Sequence, residues 1–434
     1  MLSQADGRPT LVTALPIGEF DTQPSRAEFD AIIQVFNDLG ADLLVAEPVS
    51  DADAARRAVE ANLDRIPDLL LLVPLRGLSA PAMESAALAS RAPCLIWPIP
   101  GRFALPSSTL AVGALREAGR PVELLFAPPD HPTAIENTRT ILNAARALAR
   151  IQRSRIGVIG GLFPNLIAAR YDPETVSARL GTTLLPLPYD SIRAGIAHSA
   201  ARPDDTRQAH QALTATYAVA PADQSALATG LHLHLALKRL AQDHQLDAFA
   251  AECWTGLPKE LGLNPCLGFA EDAYILACEG DVTLCISLLM VQYLTGHRAY
   301  VGDLFDLDLE GVMTLIHCGA PASLAGDPRD VVLARSQVAL ERGYETITCR
   351  PRLEPGPVTV FRFYGRDCDK LHLATGELLR SDPSPSLAVN LRLAGSRWDF
   401  IEVCAGNHYV VVPGDIRPEL GVLARWLGIT ILET

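Results

Sequence analysis

The chain has no CxxC pair, no Gly-Lys-Ser/Thr, no GxSxG and no apolar run near the roughly 20 residues that a bilayer-spanning helix needs. These absences remove the zinc knuckle, the Walker-type phosphate loop, the serine-hydrolase elbow and the transmembrane span. Basic runs are missing too: Lys+Arg number 37 against Asp+Glu 50, a net charge of −13, which argues against nucleic acid as a partner. The start, MLSQADGRPT, lacks the basic n-region and apolar core of a secretory leader, so the expected location is cytoplasmic. Nine cysteines, an odd number scattered over 434 residues, do not form a secreted disulfide framework and read as reduced, mostly buried thiols.

What is present is globular. A hydrophobic fraction of 49% with 20% charged residues excludes disorder over most of the length, and 434 residues suit two or three domains. The first third alternates β-rich and amphipathic stretches: strands at 10–18, 41–49, 68–75 and 93–100, helices at 27–40 and 51–66. Gly40 stands where a C-cap belongs and Ser50/Asp51 where an N-cap belongs. Apolar strands alternating with helices predict a parallel sheet covered on both faces. After a helical segment at 131–154 the pattern restarts at RIGVIGGLFPN (155–165), continues through a long helix from about Gln224 to Gln245, and reaches a buried strand at 247–256. An apolar helix from Val282 to about Leu294 follows, and then the period changes to two in TVFRFYG (359–365), KLHLATGELL (370–379), WDFIEVC (398–404) and HYVVVPGD (408–415), with a closing helix at 419–428. The fold class expected is α/β, two parallel-sheet units followed by a β-rich C-terminal domain, with boundaries at 1–152, 153–278 and 279–434.

GVIGG (157–161) follows a strand but lacks the GxGxxG spacing and reads as a tight turn. The informative stretch is NPCLGFAEDAYILACEGDV (264–282), where Glu271, Asp272, Glu279 and Asp281 interrupt apolar sequence. Carboxylates there need pairing, hydration or a cation, and oxygen ligands suit Mn²⁺ or Mg²⁺; helix-terminal surface charges are the plainer alternative. Among histidines that offer a nitrogen ligand, His297 and His317 lie in loops or strand ends, whereas His408 opens an apolar strand after a small-residue turn, placed to project into a cleft. His232, His234 and His244 fall on a helix and read as solvated. Cys278 and Cys318 read as inert buried thiols.

Taken in order, ECW (252–254), PCLGFAED (265–272), CEGDV (278–282), LTGHRAYVGD (294–303), HCGAP (317–321) and GNHYVVVPGD (406–415) resemble the L-fucose isomerase/L-arabinose isomerase-like family, particularly its shorter fucose-isomerase-like members, over nearly the whole chain. The resemblance implies two Rossmann-like units before a β-rich domain and an aldose–ketose isomerase acting on a free sugar through an enediolate. It implies a Mn²⁺ site, with Mg²⁺ or Co²⁺ as alternatives, held by Glu271, Asp281 and His408, the two carboxylates also serving as acid and base; Asp272 and Glu279 stand as alternatives to Glu271. Trp254 is expected as an apolar wall for the sugar and Asn407 as a hydroxyl contact. A homo-oligomer whose neighbouring subunit completes the site is implied as well. The competing readings are an epimerase or lyase on a sugar derivative, and a sugar-binding protein without turnover.

Overall fold

The computed structural model describes residues 8–20, 23–61, 65–270, 273–344, 346–383 and 386–434. Two compact units result: one takes the residues up to Arg150 together with Pro418–Gly428, the other Ile151–Arg417 with Ile429–Thr434.

In the first unit, strands β1 (Leu11–Ile17), β2 (Asp42–Val45), β3 (Leu69–Pro74), β4 (Cys94–Ile96) and β5 (Val122–Leu124) form one sheet in the order β2-β1-β3-β4-β5, every pair parallel. Every residue of β1 and β3 is buried, as apolar strands covered on both faces must be. Asp51 caps its helix by accepting from Ala54 N at 2.8 Å, but that helix stops at Glu60, short of the expected 66.

The second unit holds three sheets. β6 (Arg155–Ile159) and β7 (Thr183–Leu187) belong with β9 (Ala248–Ala251) and β10 (Ile275–Cys278) to a four-stranded parallel sheet ordered β10-β9-β6-β7. β8 (Ala218–Val219) joins β13 (Val331–Arg335) and β14 (Ile347–Pro351) in a small sheet. The remaining strands, β11 (Tyr300–Leu307), β12 (Val312–His317), β15 (Gly356–Tyr364), β16 (Lys370–Asp382), β17 (Leu387–Leu393), β18 (His408–Pro413) and β19 (Thr430–Glu433), run in the order β15-β18-β11-β12-β17-β16-β19. A further β15–β16 pairing closes six of them on themselves, which removes their free edges. The expected α/β class with a β-rich C-terminal part is therefore the observed one, except that WDFIEVC (398–404), expected as a strand, lies largely on the helix Arg397–Glu402, which Ser396 caps by accepting from Trp398 N and Asp399 N. Among the described residues no helix is long and apolar enough to cross a membrane.

One surface expectation fails. His234 lies on the helix Gln224–His244 but is buried, its Nδ1 3.1 Å from the Tyr274 hydroxyl, and His232 Nδ1 meets Ser199 Oγ at 2.7 Å; only His244 is exposed. The helix is covered along more of its circumference than its modest amphipathicity announces, because the helix Tyr189–Ala200 and the Pro265–Phe269 turn both pack on it.

The loops after β6 and β10 touch through backbone: Gly280 has φ +71°, and a Cβ there would collide with the Gly161 carbonyl. Gly280→Ala should lower the thermal unfolding midpoint, by the equivalent of about 1–3 kcal/mol from left-handed strain alone and more from the collision, whereas Gly311→Ala, at a similar φ with open space around it, should show only the strain. Equal melting shifts in the two variants would contradict the contact.

Candidate active site

From β6 the chain crosses to β7 on one side, while β9 leads to β10 on the other, so the strand order reverses between β6 and β9. Ligand crevices of open α/β sheets form at the carboxyl ends of strands beside such a reversal. Here those ends deliver Gly160–Gly161 after β6, Glu252–Trp254 after β9 and Glu279–Asp281 after β10. Both loop glycines have φ +77°, the tight turn read in GVIGG, and Phe163 N donates to the Glu279 carbonyl at 2.8 Å, binding the β6 and β10 loops together.

The barrel supplies the opposite wall. Asp303 on β11 and His408 at the start of β18 are directly opposed in the antiparallel register, which brings His408 Nε2 to 3.5 Å from Asp303 Oδ1. Asn407 Nδ2 donates to the same oxygen at 2.5 Å, so the residue expected to contact sugar hydroxyls holds Asp303 in place. The Asp303 side chain is 40% exposed, against 1% for His408.

Behind His408 lies a fully buried charge. Asp281 caps the helix Val282–Thr295, its Oδ1 accepting from Leu284 N at 2.9 Å and Thr283 Oγ1 at 2.7 Å. Its Oδ2 accepts from Arg362 Nη2 at 3.2 Å and His408 Nδ1 at 3.0 Å, and Arg362 Nη1 donates to the His408 carbonyl at 2.9 Å. Burial alone would raise the Asp281 pKa, but the Arg362 guanidinium and His408 more than offset it and hold the carboxyl well below the usual carboxylate range. An ionised carboxylate only accepts, so Nδ1 of His408 carries a proton and Nε2 is the atom that faces Asp303. Burial pulls His408 down, yet the hydrogen bond and charge of Asp281, with Asp303, carry its pKa above the ordinary value.

Glu279 is half-buried and takes φ +57°, a conformation rare outside glycine that is stored where surrounding structure over-determines it. Burial raises its pKa; His408 opposes the rise and Asp303 adds to it, which places all three in one electrostatic neighbourhood. His317 is buried, its Nδ1 donating to the Gly319 carbonyl at 2.6 Å, and His297 is exposed. Cys278 fits the inert reading, its thiol pushed far up by a hydrogen bond with Cys253 and by burial. Cys318 is half-buried, and a hydrogen bond with Cys266 together with His317 and Ser336 draws its thiol below the ordinary value against burial.

Of the expected metal set, Glu271 and its alternative Asp272 lie outside the described residues. Asp281 does not fit a cation as it stands: both its oxygens are occupied, one by a guanidinium whose charge opposes a neighbouring metal. His408, by contrast, keeps Nε2, the one nitrogen a histidine ligand uses, while its Nδ1–H is held by a carboxylate. Among the described residues no group of three His, Cys, Asp or Glu side chains is arranged to hold a metal ion.

Three residues escaped the sequence reading. Arg362 is one: an arginine between Phe361 and Phe363 in a buried strand requires a carboxylate partner, and that was the legible signal. Asp303 was quoted only within its motif. Glu252, nearly fully buried at the end of β9, accepts from Thr255 N at 2.9 Å and Trp254 N at 3.1 Å and also from Gly256 N, fixing the loop that carries Trp254. Trp254 is half-buried, its ring 6.2 Å from that of Phe163.

No family model matches the chain. Curated relatives do. A sulfoquinovose isomerase of Priestia aryabhattai is 26% identical over 358 residues, covering 78% of this chain and 79% of the relative. Proteins of the same name from Alkalicoccus urumqiensis (23% over 393 residues, 85% and 86% covered) and Clostridium sp. strain MSTE9 (24% over 452 residues, 96% and 97%) match over still more of the length. This chain is similar to sugar isomerases. The similarity supports an isomerase enzyme acting on a sugar, which is the coarser part of what the motifs implied.

Asp281→Asn should cost about 3–5 kcal/mol in urea unfolding at neutral pH, because Arg362 is left buried without a counter-charge. The folded-state pKa lies below the unfolded one, so the contribution is complete above the ordinary aspartate value of 3.8 and is lost as pH falls beneath it. Because Asp281 also raises the His408 pKa, the gap between wild type and variant should widen somewhat as pH falls through that raised value, persist to about pH 4 and narrow only below; a gap that closes already between pH 7 and 5 would contradict the pairing.

Proposed function

We propose that this protein interconverts the aldose and ketose forms of a sulfonated sugar through an enediolate. The observation that carries the reading is the meeting, at the strand-order reversal, of Glu279 with the Asp303–His408 pair, two carboxylates in unlike surroundings beside an imidazole of fixed tautomer. The relatives' shared name supports the reaction and, through the sulfonate that name denotes, the substrate class. The finer fucose- and arabinose-isomerase kinship belongs to the same proposal, on the motifs given above.

Isomerisation moves one proton from C2 to C1 and another between the two oxygens. Glu279, half-buried and of raised proton affinity, is the group to carry the carbon-bound proton: its carboxylate takes the C2 proton and returns it to C1. The Asp303–His408 pair serves the oxygens. Protonated at Nε2, His408 gives its proton to the carbonyl oxygen as the enediolate forms, and Asp303, steadied by Asn407, accepts the proton of the neighbouring hydroxyl and returns it to the imidazole, which restores both groups. Asp281 is assigned a positioning part: permanently ionised and held from four sides, it fixes the imidazole and carries no proton itself. This departs from the acid–base part that the resemblance implies for Asp281. No step here uses a cation, and the Mn²⁺ that the resemblance implies is decided by the same experiment. Assembly into a homo-oligomer is a further part of the proposal, checked by sedimentation.

The test incubates metal-stripped protein, with and without Mn²⁺, with sulfoquinovose and common aldoses in D₂O, followed by NMR. Ketose formation with deuterium entering at the carbon that loses or gains the proton is expected. Glu279→Gln should lower kcat by about 10²–10⁴-fold, the usual worth of a positioned acid–base group, with KM little changed. Exchange without ketose would point to epimerisation instead, and full activity in Glu279→Gln would overturn its role.

A further inference from the structure

A sulfonate arriving at this site meets the wrong field. The chain carries −13 overall, and Glu252, Glu279, Asp281 and Asp303 cluster around the crevice. The guanidinium behind His408, Arg362, is 1% exposed and already bound to Asp281 and the His408 carbonyl, so it is not free to meet a substrate. An anionic sugar therefore needs another cation, at the end of the crevice away from the carbons that react.

Arg342 meets that requirement. It follows the short helix Gln337–Glu341, is exposed, and lays its guanidinium over the Trp254 ring, 4.3 Å from the centroid. Among the described residues no carboxylate pairs with it. Stacking on an indole holds the guanidinium plane and leaves its N–H edge for a ligand, an arrangement suited to the paired oxygens of an oxyanion. Its link to the reacting groups runs through Trp254. Trp254 follows Cys253, whose Sγ accepts from Glu279 N at 3.4 Å, and the Trp254 ring packs near Phe163, whose own N–H binds the Glu279 carbonyl. Glu252, accepting from the Trp254 and Thr255 N–H groups, locks the indole that the guanidinium rests on.

We propose that Arg342, held on Trp254, is the residue that recognises the anionic substituent of the sugar and so sets the preference for a sulfonated over an uncharged substrate. This rests on the isomerase reading for its substrate, while its own observation is the guanidinium stacked on Trp254 with no carboxylate pairing to it among the described residues.

Calorimetric binding of sulfoquinovose and of quinovose, the same sugar skeleton without the sulfonate, to the full-length protein separates the two claims. Wild type should bind the sulfonated sugar at least about tenfold more tightly, a margin that shrinks as salt rises. Arg342→Gln should bring the ratio of the two affinities close to one, Arg342→Lys should restore part of it, and in turnover the loss should fall on KM for the sulfonated sugar more than on kcat. A ratio unchanged in Arg342→Gln, or equal weakening for both sugars, overturns the inference. Failure of wild type to interconvert either sugar overturns the isomerase reading instead, and the binding ratio still decides the part played by Arg342.

Discussion

Everything at the crevice depends on one buried ion pair, Arg362 with Asp281. Two charges removed from water must be compensated by hydrogen bonds: the carboxylate accepts from a guanidinium, an imidazole, a hydroxyl and a helix N-terminal N–H, and the guanidinium donates through both Nη atoms while its buried Nε has no partner among the described residues. The same carboxylate therefore starts the helix Val282–Thr295, ties the parallel sheet to the barrel through β15 and β18, and sets which nitrogen of His408 looks outward. Such a pair adds little net stability over well-packed apolar groups, but removing either partner strands the other, so it fixes geometry more than it adds free energy.

Around that anchor the division of labour follows from topology. The parallel sheet contributes loops at its carboxyl edge, where backbone contacts between Gly161 and Gly280 hold Glu279 in a left-handed conformation. The barrel contributes a register, Asp303 opposite His408, that no loop could hold as rigidly. Aromatic residues of the β6 and β9 loops, Phe163 and Trp254, stand with their rings 6.2 Å apart, and Arg342 stacks on the second of them.

Much of the fold was legible because its signals are local. Fully apolar β1 and β3 announce strands covered on both faces, and Asp51 and Asp281 stand as N-caps before periodic or apolar runs. His408 was legible for the same reason, as a strand-opening residue after a small-residue turn. Long-range pairing was not legible: Arg362 and Asp281 are 81 residues apart, and only the three-dimensional fold tells that this aspartate is saturated by its partners. His234 misled because a helix buried by two neighbours keeps the polar residues that a solvated face would show. Glu271 belongs to the part of the expected site that falls outside the described residues.

In the proposed mechanism Asp281 anchors, and Glu279 and the Asp303–His408 pair move the protons. A crystal structure of the protein soaked with Mn²⁺ and a slowly turned-over sugar analogue, with anomalous data to locate manganese, tests it most directly. The expected result is the sugar between Glu279 and Asp303 with the Arg362–Asp281–His408 contacts intact. Manganese bound to Asp281, with Arg362 displaced from it, would contradict the claim.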